Sequence, residues 1–514
     1  MPTEYFEQRE RALLGPRYEQ LYAAPQQTAE RGVTVSALRA TPEQFAQRAD
    51  FPLEPSPFCK AAFVVHQPDF KPGRHPYHHA GVFYSQEPSA SSAAPLLGVQ
   101  PGMRVLDLCA APGGKSSQLA AALQGRGVLV SNEYVAARAE ILKSNLERMG
   151  VSNAVVLNET PARIAEALPE FFDRVLVDAP CSGEGMFRKE PVALQQHCEA
   201  LVKQCAELGA QILDCAAAAL APGGQLVYST CTFAPEEDEA QVAAFLQHHP
   251  EFALADVLGN VDYTFGSAGE ENRTGGLPLD VSKVRRIWPC QGGEGHFMAR
   301  LVKAGTPRAL PVPGEYTPEE QLWLAAAAEA GKRSKGGKPQ KAAKPADARS
   351  ARRENSRACR EAVQGRSSRS REAGAGDASP AQSLAAWREF AEEYFPELAK
   401  RPAVVHGGGV LLPAAFPQTN LHVLRAGVFV GSVQKGRFVP EHHLFTAFGA
   451  LCQNCEELTL ADSRTVEYLS GREIEAHTAA DGWCCVTVDG WPLGGGKVSG
   501  GRVKNHYPKA LRLL

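Results

Sequence analysis

Short apolar runs alternate with stretches of helical spacing from Val99 onwards. The runs at 105–108, 128–131, 154–157, 174–177 and 224–229 are predicted strands, and the stretches at 115–123, 136–149 and 193–220 are predicted helices. Strands that form continuous apolar runs are typical of a parallel sheet that is buried on both faces. The pattern predicts an α/β, doubly wound (Rossmann-like) domain, in which ligands bind at the carboxyl ends of the strands.

The segments on either side of this domain have a different character. We predict a small α+β domain at 1–95, the doubly wound domain at 96–305, an intermediate α+β domain at 381–455 and a strand-rich domain at 456–514. Much of 306–380 is rich in Lys, Arg, Ser, Gly and Ala, with almost no apolar periodicity. This composition is typical of a linker that is largely disordered.

Composition indicates a globular protein with one unusual segment. The 514 residues are 44% hydrophobic and 22% charged, with a net charge of −3. Residues 331–372, however, contain 14 Lys/Arg against 4 Asp/Glu, which favours contact with a polyanion, a solvated spacer being the alternative. The sequence has neither a long apolar run nor a secretory signal, which predicts a cytoplasmic chain with no membrane partner. It has an odd number of cysteines (13), which predicts free thiols.

A glycine-containing turn joins the first predicted strand of the sheet to its first helix. The sequence from Asp107 to Ser116 reads Asp-Leu-Cys-Ala-Ala-Pro-Gly-Gly-Lys-Ser, and its two glycines allow a ligand to approach the backbone at a helix N-terminus. Glu133 ends the second strand, where an acidic side chain can accept both hydroxyls of a ribose. These features predict a nucleoside-containing ligand.

Two classes of protein share this turn. From Cys109 the sequence reads C-x-x-x-x-G-K-S, one substitution away from a phosphate-binding P-loop, and Asp178 follows a strand like a Walker B acid. A P-loop NTPase is therefore an alternative, but Cys109 replaces its first glycine and Pro112 removes an N–H donor to phosphate. S-adenosylmethionine has no phosphates and gives Glu133 a role, so a methyltransferase is the preferred interpretation.

Two cysteines follow strands of the same sheet. Asp178 begins the sequence Asp-Ala-Pro-Cys-Ser-Gly, which contains Cys181, and Cys231 lies in Ser-Thr-Cys-Thr. A thiolate near the cofactor can add to carbon 6 of a pyrimidine, which makes carbon 5 nucleophilic enough to take a methyl group. The pair predicts methylation of a pyrimidine at carbon 5.

These motifs resemble those of the RNA cytosine-C5 methyltransferases of the RsmB/RsmF and NSUN type. The resemblance covers about 99–305 and includes Arg188 beyond the first cysteine motif. It implies that Cys231 is the nucleophile, that Cys181 helps to release the product, and that Asp178 contacts the edge of the cytosine. The family usually has an Asp near the adenine where this chain has Asn158, which can still bind the exocyclic amine.

The resemblance completes the predicted site. The catalytic residues are Cys231, Cys181 and Asp178, and no metal site is predicted, although Cys452 and Cys455 superficially suggest zinc. The residues predicted to bind S-adenosylmethionine are Cys109, Ala110, Ala111, Pro112, Gly113, Gly114, Lys115, Glu133, Asn158 and Asp178.

The flanking segments resemble those of the bacterial RsmF-like branch. The sequence from His75 to Ser89 is similar to the segment before its catalytic domain, and the basic sequence after Trp491 is similar to its terminal PUA-like β-barrel. The resemblance implies that the substrate is 16S ribosomal RNA, with transfer RNA as the runner-up, and that the basic side chains meet RNA phosphates. We expect the protein to act as a monomer.

Overall fold

The computed structural model describes residues 3–21, 31–67, 69–312, 315–333 and 378–513. The N-terminal part forms a four-stranded antiparallel sheet in the order β2-β3-β1-β4. Its strands are β1 (Gly32–Val35), β2 (Leu53–Pro55), β3 (Ala62–Val65) and β4 (Phe83–Ser85). The helices of this part are Glu4–Leu14, Arg17–Leu21, Pro42–Arg48, Pro76–His79 and Ala93–Leu96. The helix at Pro42 begins at a capping box, in which Thr41 and Gln44 each satisfy the other's backbone N–H.

The central sheet confirms the predicted doubly wound domain. Its strands are β5 (Arg104–Asp107), β6 (Val128–Asn132), β7 (Ala154–Leu157), β8 (Phe172–Asp178), β9 (Leu220–Thr230), β10 (Phe252–Ala255), β11 (Arg285–Ile287) and β12 (His296–Lys303). The order is β10-β12-β9-β8-β5-β6-β7; the strands from β9 to β7 are parallel, and β11 pairs with β12. Helices Gly114–Leu123, Ala136–Arg148, Pro161–Ala167, Pro191–Gln196, Glu199–Ala219 and Glu239–His248 pack around it.

The chain reverses its direction of travel across the sheet beside β5. It runs from β5 outwards to β6 and β7, and then returns to β8 on the other side of β5. A crevice opens at such a switch point, outside the carboxyl ends of the strands. The ends of β5, β6, β8 and β9 therefore define where a ligand is held.

Two predicted elements differ from the structure. The helix predicted at 193–220 is interrupted after Gln196, because Cys198 is extended and the buried ring of His197 pairs with Glu184 instead. The predicted disordered linker at 306–380 contains a helix, Pro318–Arg333, in which Leu324 is buried. The local apolar pattern was too weak to reveal this helix, and most of the basic segment, at 334–377, lies outside the described residues.

The region after the linker extends the central sheet. Strands β13 (Val404–His406), β14 (Gly409–Pro413), β15 (Val423–Gln434) and β16 (Arg437–Pro440) are antiparallel, and β15 also pairs with β7. Helices Pro380–Tyr394, Pro396–Ala399 and His442–Phe448 cover this extension. The sheet thus reaches twelve strands by joining segments that are far apart in sequence.

The C-terminal domain, which the sequence predicts to be PUA-like, is a five-stranded sheet that curls into a half-barrel. Its strands are β17 (Cys455–Leu458), β18 (Ile474–Glu475), β19 (Gly482–Val488), β20 (Trp491–Ser499) and β21 (Arg502–Asn505), with one helix at Ser463–Leu469. This domain shares a hydrophobic core with the N-terminal domain. Tyr77 donates to Asp489 at 2.8 Å, and His79 hydrogen-bonds Tyr507 at 2.7 Å. None of the helices in the described ranges is long and apolar enough to span a bilayer.

Candidate active site

The predicted catalytic and cofactor residues converge at one edge of the central sheet. Asp107 ends β5, Glu133 follows β6, Asp178 ends β8 and Cys231 follows β9, while Cys181 lies on the loop after β8. Parallel strands bring these carboxyl ends together although the residues are up to 124 positions apart in the chain.

Asp107 is buried beneath the glycine turn. Its Oδ2 accepts a hydrogen bond from Ser116 Oγ at 2.7 Å, whereas its Oδ1 is buried without a partner among the described residues. Burial raises the pKa of Asp107 to about 7, with Asp178 adding to the increase and Ser116 opposing it. An unpaired carboxyl oxygen in such a site can take a hydrogen bond from a cationic or N–H-bearing ligand.

Neighbouring elements hold the turn that follows by hydrogen bonds to its backbone groups. Ala110 N donates to Asn132 O at 2.8 Å, and the Pro112 carbonyl accepts from Asn145 Nδ2 at 2.8 Å. Arg138 donates to the carbonyl of Ala111 at 3.0 Å. The loop is therefore fixed before a ligand arrives.

This turn needs glycine where it ends at Gly113, and the thiol of Cys109 near its start is not a thiolate. Gly113 has φ +115° and precedes the helix Gly114–Leu123, so a side chain there would be strained. Burial and neighbouring carboxylates raise the pKa of Cys109, which therefore remains a neutral thiol.

Glu133 and Asn158 form one unit at the end of β6. Glu133 is 6% exposed, and its carboxylate accepts from Val135 N at 2.7 Å and pairs with Arg138 at 3.3 Å. Asn158 Nδ2 donates to the carbonyls of Glu133 and Tyr134 at 2.7 and 2.8 Å. Asn158 thus positions the segment that carries the acid.

The two cysteine thiols are in contact. Cys181 Sγ and Cys231 Sγ are 3.3 Å apart, within the distance of a hydrogen bond involving sulfur. The hydrogen bond to Cys231 and burial together raise the pKa of Cys181 well above its usual value. Cys181 is therefore a neutral thiol that can act as a proton donor to Cys231.

Asp178, which ends β8 three residues before Cys181, is an ionised acid. Its Oδ2 accepts from Lys115 Nζ and its Oδ1 from Ser229 Oγ, each at 2.8 Å. Burial alone would raise the pKa of Asp178, but Lys115 and His296 and these hydrogen bonds lower it below its usual value. Lys115, which the sequence predicts to bind the cofactor, thus directs its ammonium to Asp178. Burial would lower the pKa of Lys115, but the contact with Asp178 raises it above its usual value.

Two buried acids that the sequence analysis did not assign support the cysteine loops. Glu237 accepts from Ser182 N at 2.9 Å and Ser182 Oγ at 2.5 Å, and burial raises its pKa to about 7. Glu184 accepts from Arg9, His197 and the backbone N–H of Phe233. Nothing in the local pattern distinguishes Glu184, since its partners come from distant segments.

Gly185 allows the two cysteine loops to approach closely. Its N–H donates to the carbonyl of Cys231 at 2.9 Å. A Cβ at Gly185 would lie 2.9 Å from that same oxygen and from the carbonyl oxygen of Gly295, closer than side-chain carbons normally come. The glycine in the first cysteine motif therefore has a packing role at the junction of the loops.

The other cysteine set does not form a metal centre within the described ranges. Cys452 and Cys455 donate to backbone carbonyls, and Cys484 and Cys485 lie buried in β19. No group of three or more His, Cys, Asp or Glu residues with metal-binding geometry occurs in the parts of the chain that the structure describes.

Comparison with known proteins identifies the family. The sequence profile described as 16S rRNA methyltransferase RsmB/F matches residues 94–302. The profiles described as the N-terminal domain of 16S rRNA methyltransferase RsmF, the RsmF rRNA methyltransferase first C-terminal domain and the methyltransferase RsmF PUA domain match residues 1–88, 389–448 and 455–513.

Individual relatives agree with these profiles. Ribosomal RNA small subunit methyltransferase F of Pectobacterium atrosepticum is 36% identical over 306 residues, which cover 58% of this chain and 61% of that protein. The protein of the same name from Erwinia tasmaniensis is 33% identical over 354 residues, which cover 65% and 72%. A solved methyltransferase homologue from Pyrococcus horikoshii superposes with a TM-score of 0.52 at 28% identity, covering 59% of this chain and 95% of that one. The chain belongs to the RsmB/F family of 16S rRNA methyltransferases, and its flanking domains are those of RsmF.

Proposed function

We propose that the protein transfers a methyl group from S-adenosylmethionine to carbon 5 of a cytosine in 16S ribosomal RNA, through a covalent bond between Cys231 and carbon 6. The observation that carries the proposal is the pair of thiols 3.3 Å apart, which follow β8 and β9 at the same sheet edge as the ionised Asp178. The P-loop alternative fails because the family is one of methyltransferases, and because Pro112 lacks a backbone N–H for phosphate.

Each side chain has a distinct task in this chemistry. The Cys231 thiolate adds to carbon 6, and the charge that develops on the ring is stabilised by the ammonium of Lys115 beside Asp178. Asp178, being ionised, accepts a hydrogen bond from the exocyclic amine of cytosine. The carbon-5 proton then passes to solvent water, the bond between Cys231 and carbon 6 breaks, and Cys181 donates its proton to the departing sulfur. Cys181 regains a proton from the same water.

The cofactor residues fit S-adenosylmethionine. That cofactor, when bound, supplies an electrophilic methyl group on a sulfonium. Asp107 offers an unpaired buried oxygen to its cationic amino acid part, and Glu133 offers a carboxylate at the position suited to a ribose. The N-terminus of the helix at Gly114, where the backbone N–H groups point outwards, suits the carboxylate of the same ligand.

The relatives and the flanking domains support the RNA substrate. Both compared relatives are named small subunit rRNA methyltransferases, and the PUA-like domain and the N-terminal domain form one body beside the catalytic unit. The target cytosine must be single-stranded or flipped out of a helix to reach Cys231. Action as a monomer in the cytoplasm, on free or assembled subunit RNA, belongs to the same proposal.

The test combines methyl transfer with adduct trapping. Unmodified 16S RNA and transfer RNA are incubated with labelled S-adenosylmethionine and with wild type, Cys231→Ala, Cys181→Ala or the control Cys215→Ala, which lies on the helix Glu199–Ala219. Methyl transfer is counted, and protein–RNA adducts are resolved on a denaturing gel. We expect Cys231→Ala to be inactive and free of adduct, Cys181→Ala to accumulate adduct, and Cys215→Ala to match wild type.

Other outcomes contradict specific parts of the proposal. Loss of the adduct in Cys181→Ala alone would reverse the roles of the two thiols. Methylation of transfer RNA without methylation of 16S RNA would overturn the substrate. No methyl transfer to either RNA by wild type would overturn the function.

A further inference from the structure

His296 is a buried histidine at the predicted site that the chemistry above leaves without a task. It is the first residue of β12 and is 2% exposed, and its Nε2 is 3.8 Å from Asp178 Oδ1. Both ring nitrogens are buried, and neither has a hydrogen-bonding side chain as a partner in the described parts of the chain. Buried polar atoms are normally paired, so a buried ring without a side-chain partner points to the nearby carboxylate of Asp178 as its acceptor.

The strand register fixes the side on which the histidine lies. Asp178 of β8 is opposite Ser229 of β9, which in turn is opposite Met298 of β12. Opposed residues share a face of the sheet, and so do residues two apart in a strand. His296 is therefore on the same face as Asp178, two residues nearer the edge where Cys231 lies.

The ring is neutral at physiological pH. Burial and the charge of Lys115 lower the pKa of His296 to about 4, against the opposing effects of Asp178, Glu87 and a hydrogen bond with the backbone of Gly295. A neutral imidazole donates one N–H without adding a second positive charge beside Lys115. The side chain of Asp178 is 31% exposed, whereas that of His296 is 2% exposed, so the histidine supports the acid from below.

We propose that His296 is a positioning residue that donates a ring N–H to Asp178 Oδ1 and holds the carboxylate, as an acceptor, against the exocyclic amine of the target cytosine. The inference rests on the proposed function and concerns its selectivity. The distance from His296 Nε2 to Asp178 Oδ1 is 3.8 Å, and shortening it by about 1 Å would make a hydrogen bond. Uracil carries an oxygen in place of the amine, and an ionised acceptor held in this orientation rejects it.

The test uses two substitutions of the same residue. His296→Phe keeps the ring and removes both nitrogens, whereas His296→Gln keeps a neutral N–H donor. We expect His296→Phe to lower kcat/KM for 16S RNA by about 10- to 100-fold, the value of one hydrogen bond to a charged group. The acid limb of the pH profile should move to higher pH, since the Asp178 anion loses a donor and its pKa rises. His296→Gln should restore most of both losses.

The titratable groups around Asp178, other than His296 itself, are the same in all variants. Those facing it from the neighbouring elements are Lys115, Asp107, Cys109 and His296. His296→Gln, which restores an N–H but has no titratable ring, therefore distinguishes the loss of the N–H from the loss of a charge. Melting temperature and affinity for S-adenosylmethionine serve as folding controls.

A second readout does not depend on turnover. The carboxyl 13C signal of Asp178, assigned with Asp178→Asn, is titrated in wild type and in His296→Phe. We expect a higher pKa in the variant. Three results would overturn the role of His296. They are a loss of kcat/KM that is equal at all pH values, a pKa of Asp178 that does not change in His296→Phe, and an activity of His296→Gln as low as that of His296→Phe. If wild type transfers no methyl group at all, the proposed function fails instead.

Discussion

Replacing Glu184 with Gln should destabilise the catalytic unit and slow the reaction, although Glu184 touches neither thiol. The carboxylate is buried and accepts two hydrogen bonds from Arg9, at 2.9 and 2.7 Å, one from His197 at 2.7 Å and one from Phe233 N at 3.0 Å. It therefore ties the N-terminal helix and both cysteine loops to one point. Gln keeps the shape of the side chain but removes the charge that the cationic donor needs.

The size of the effect follows from the pKa. These contacts and the charge of Arg9 overcome burial and lower the pKa of Glu184 from 4.5 to about 2. That difference corresponds to about 3 kcal/mol of folded-state stability at neutral pH. Because the folded-state pKa is the lower one, the stabilisation is complete above about pH 4.5 and is lost as the pH falls towards 2. For a unit of about 200 residues, 3 kcal/mol lowers Tm by about 6–12 °C.

Thermal unfolding measures this prediction directly. Wild type, Glu184→Gln and the control Glu19→Gln are compared by calorimetry between pH 5 and 8. Glu19 pairs with Arg11 on the surface, where their side chains are 72% and 51% exposed, so its loss should change Tm by about 1–2 °C at most. A Tm for Glu184→Gln within 2 °C of that control, or a deficit that grows steeply between pH 6 and 8, would refute the reasoning.

Three further predictions concern the loops, the cofactor and the basic segment. Gly185→Ala should lower the kcat of methyl transfer by about 100-fold, because the new Cβ would lie 2.9 Å from two backbone oxygens. Gly73→Ala is the control, since a Cβ there meets nothing within 4 Å. Glu133→Ala should lower the affinity for S-adenosylmethionine about 10- to 100-fold, as measured by calorimetric titration. The control Glu140→Ala, at an exposed position, should leave this affinity unchanged. Deleting 334–372 should reduce the salt dependence of RNA binding. The slope of log Kd against the logarithm of the salt concentration should fall by about 0.7–0.9 for each phosphate contact that is lost. An unchanged slope would show that the segment is a spacer.

The sequence predicts those parts of the molecule that depend on local pattern. The strand before Asp107, the glycine turn and the cysteine loops are each encoded within about ten residues, so their type and order were predictable. Contacts between distant segments are not encoded in this way. Arg9 meets Glu184 across 175 positions, and the register that places His296 beside Asp178 depends on β9 and β12 pairing. The interruption after Gln196 arises because His197 turns inwards to Glu184, a tertiary contact that outweighs helical spacing.

The pairing of β7 with β15 bears on whether the catalytic unit can exist alone. β7 consists of Ala154, Val155, Val156 and Leu157, all buried, and without β15 it would be the outermost strand of the parallel sheet. An apolar outermost strand with unsatisfied N–H and C=O groups is a template for pairing with other chains. The region after the linker therefore protects β7 from intermolecular pairing. A fragment that ends near Lys303 would expose this strand and would tend to aggregate.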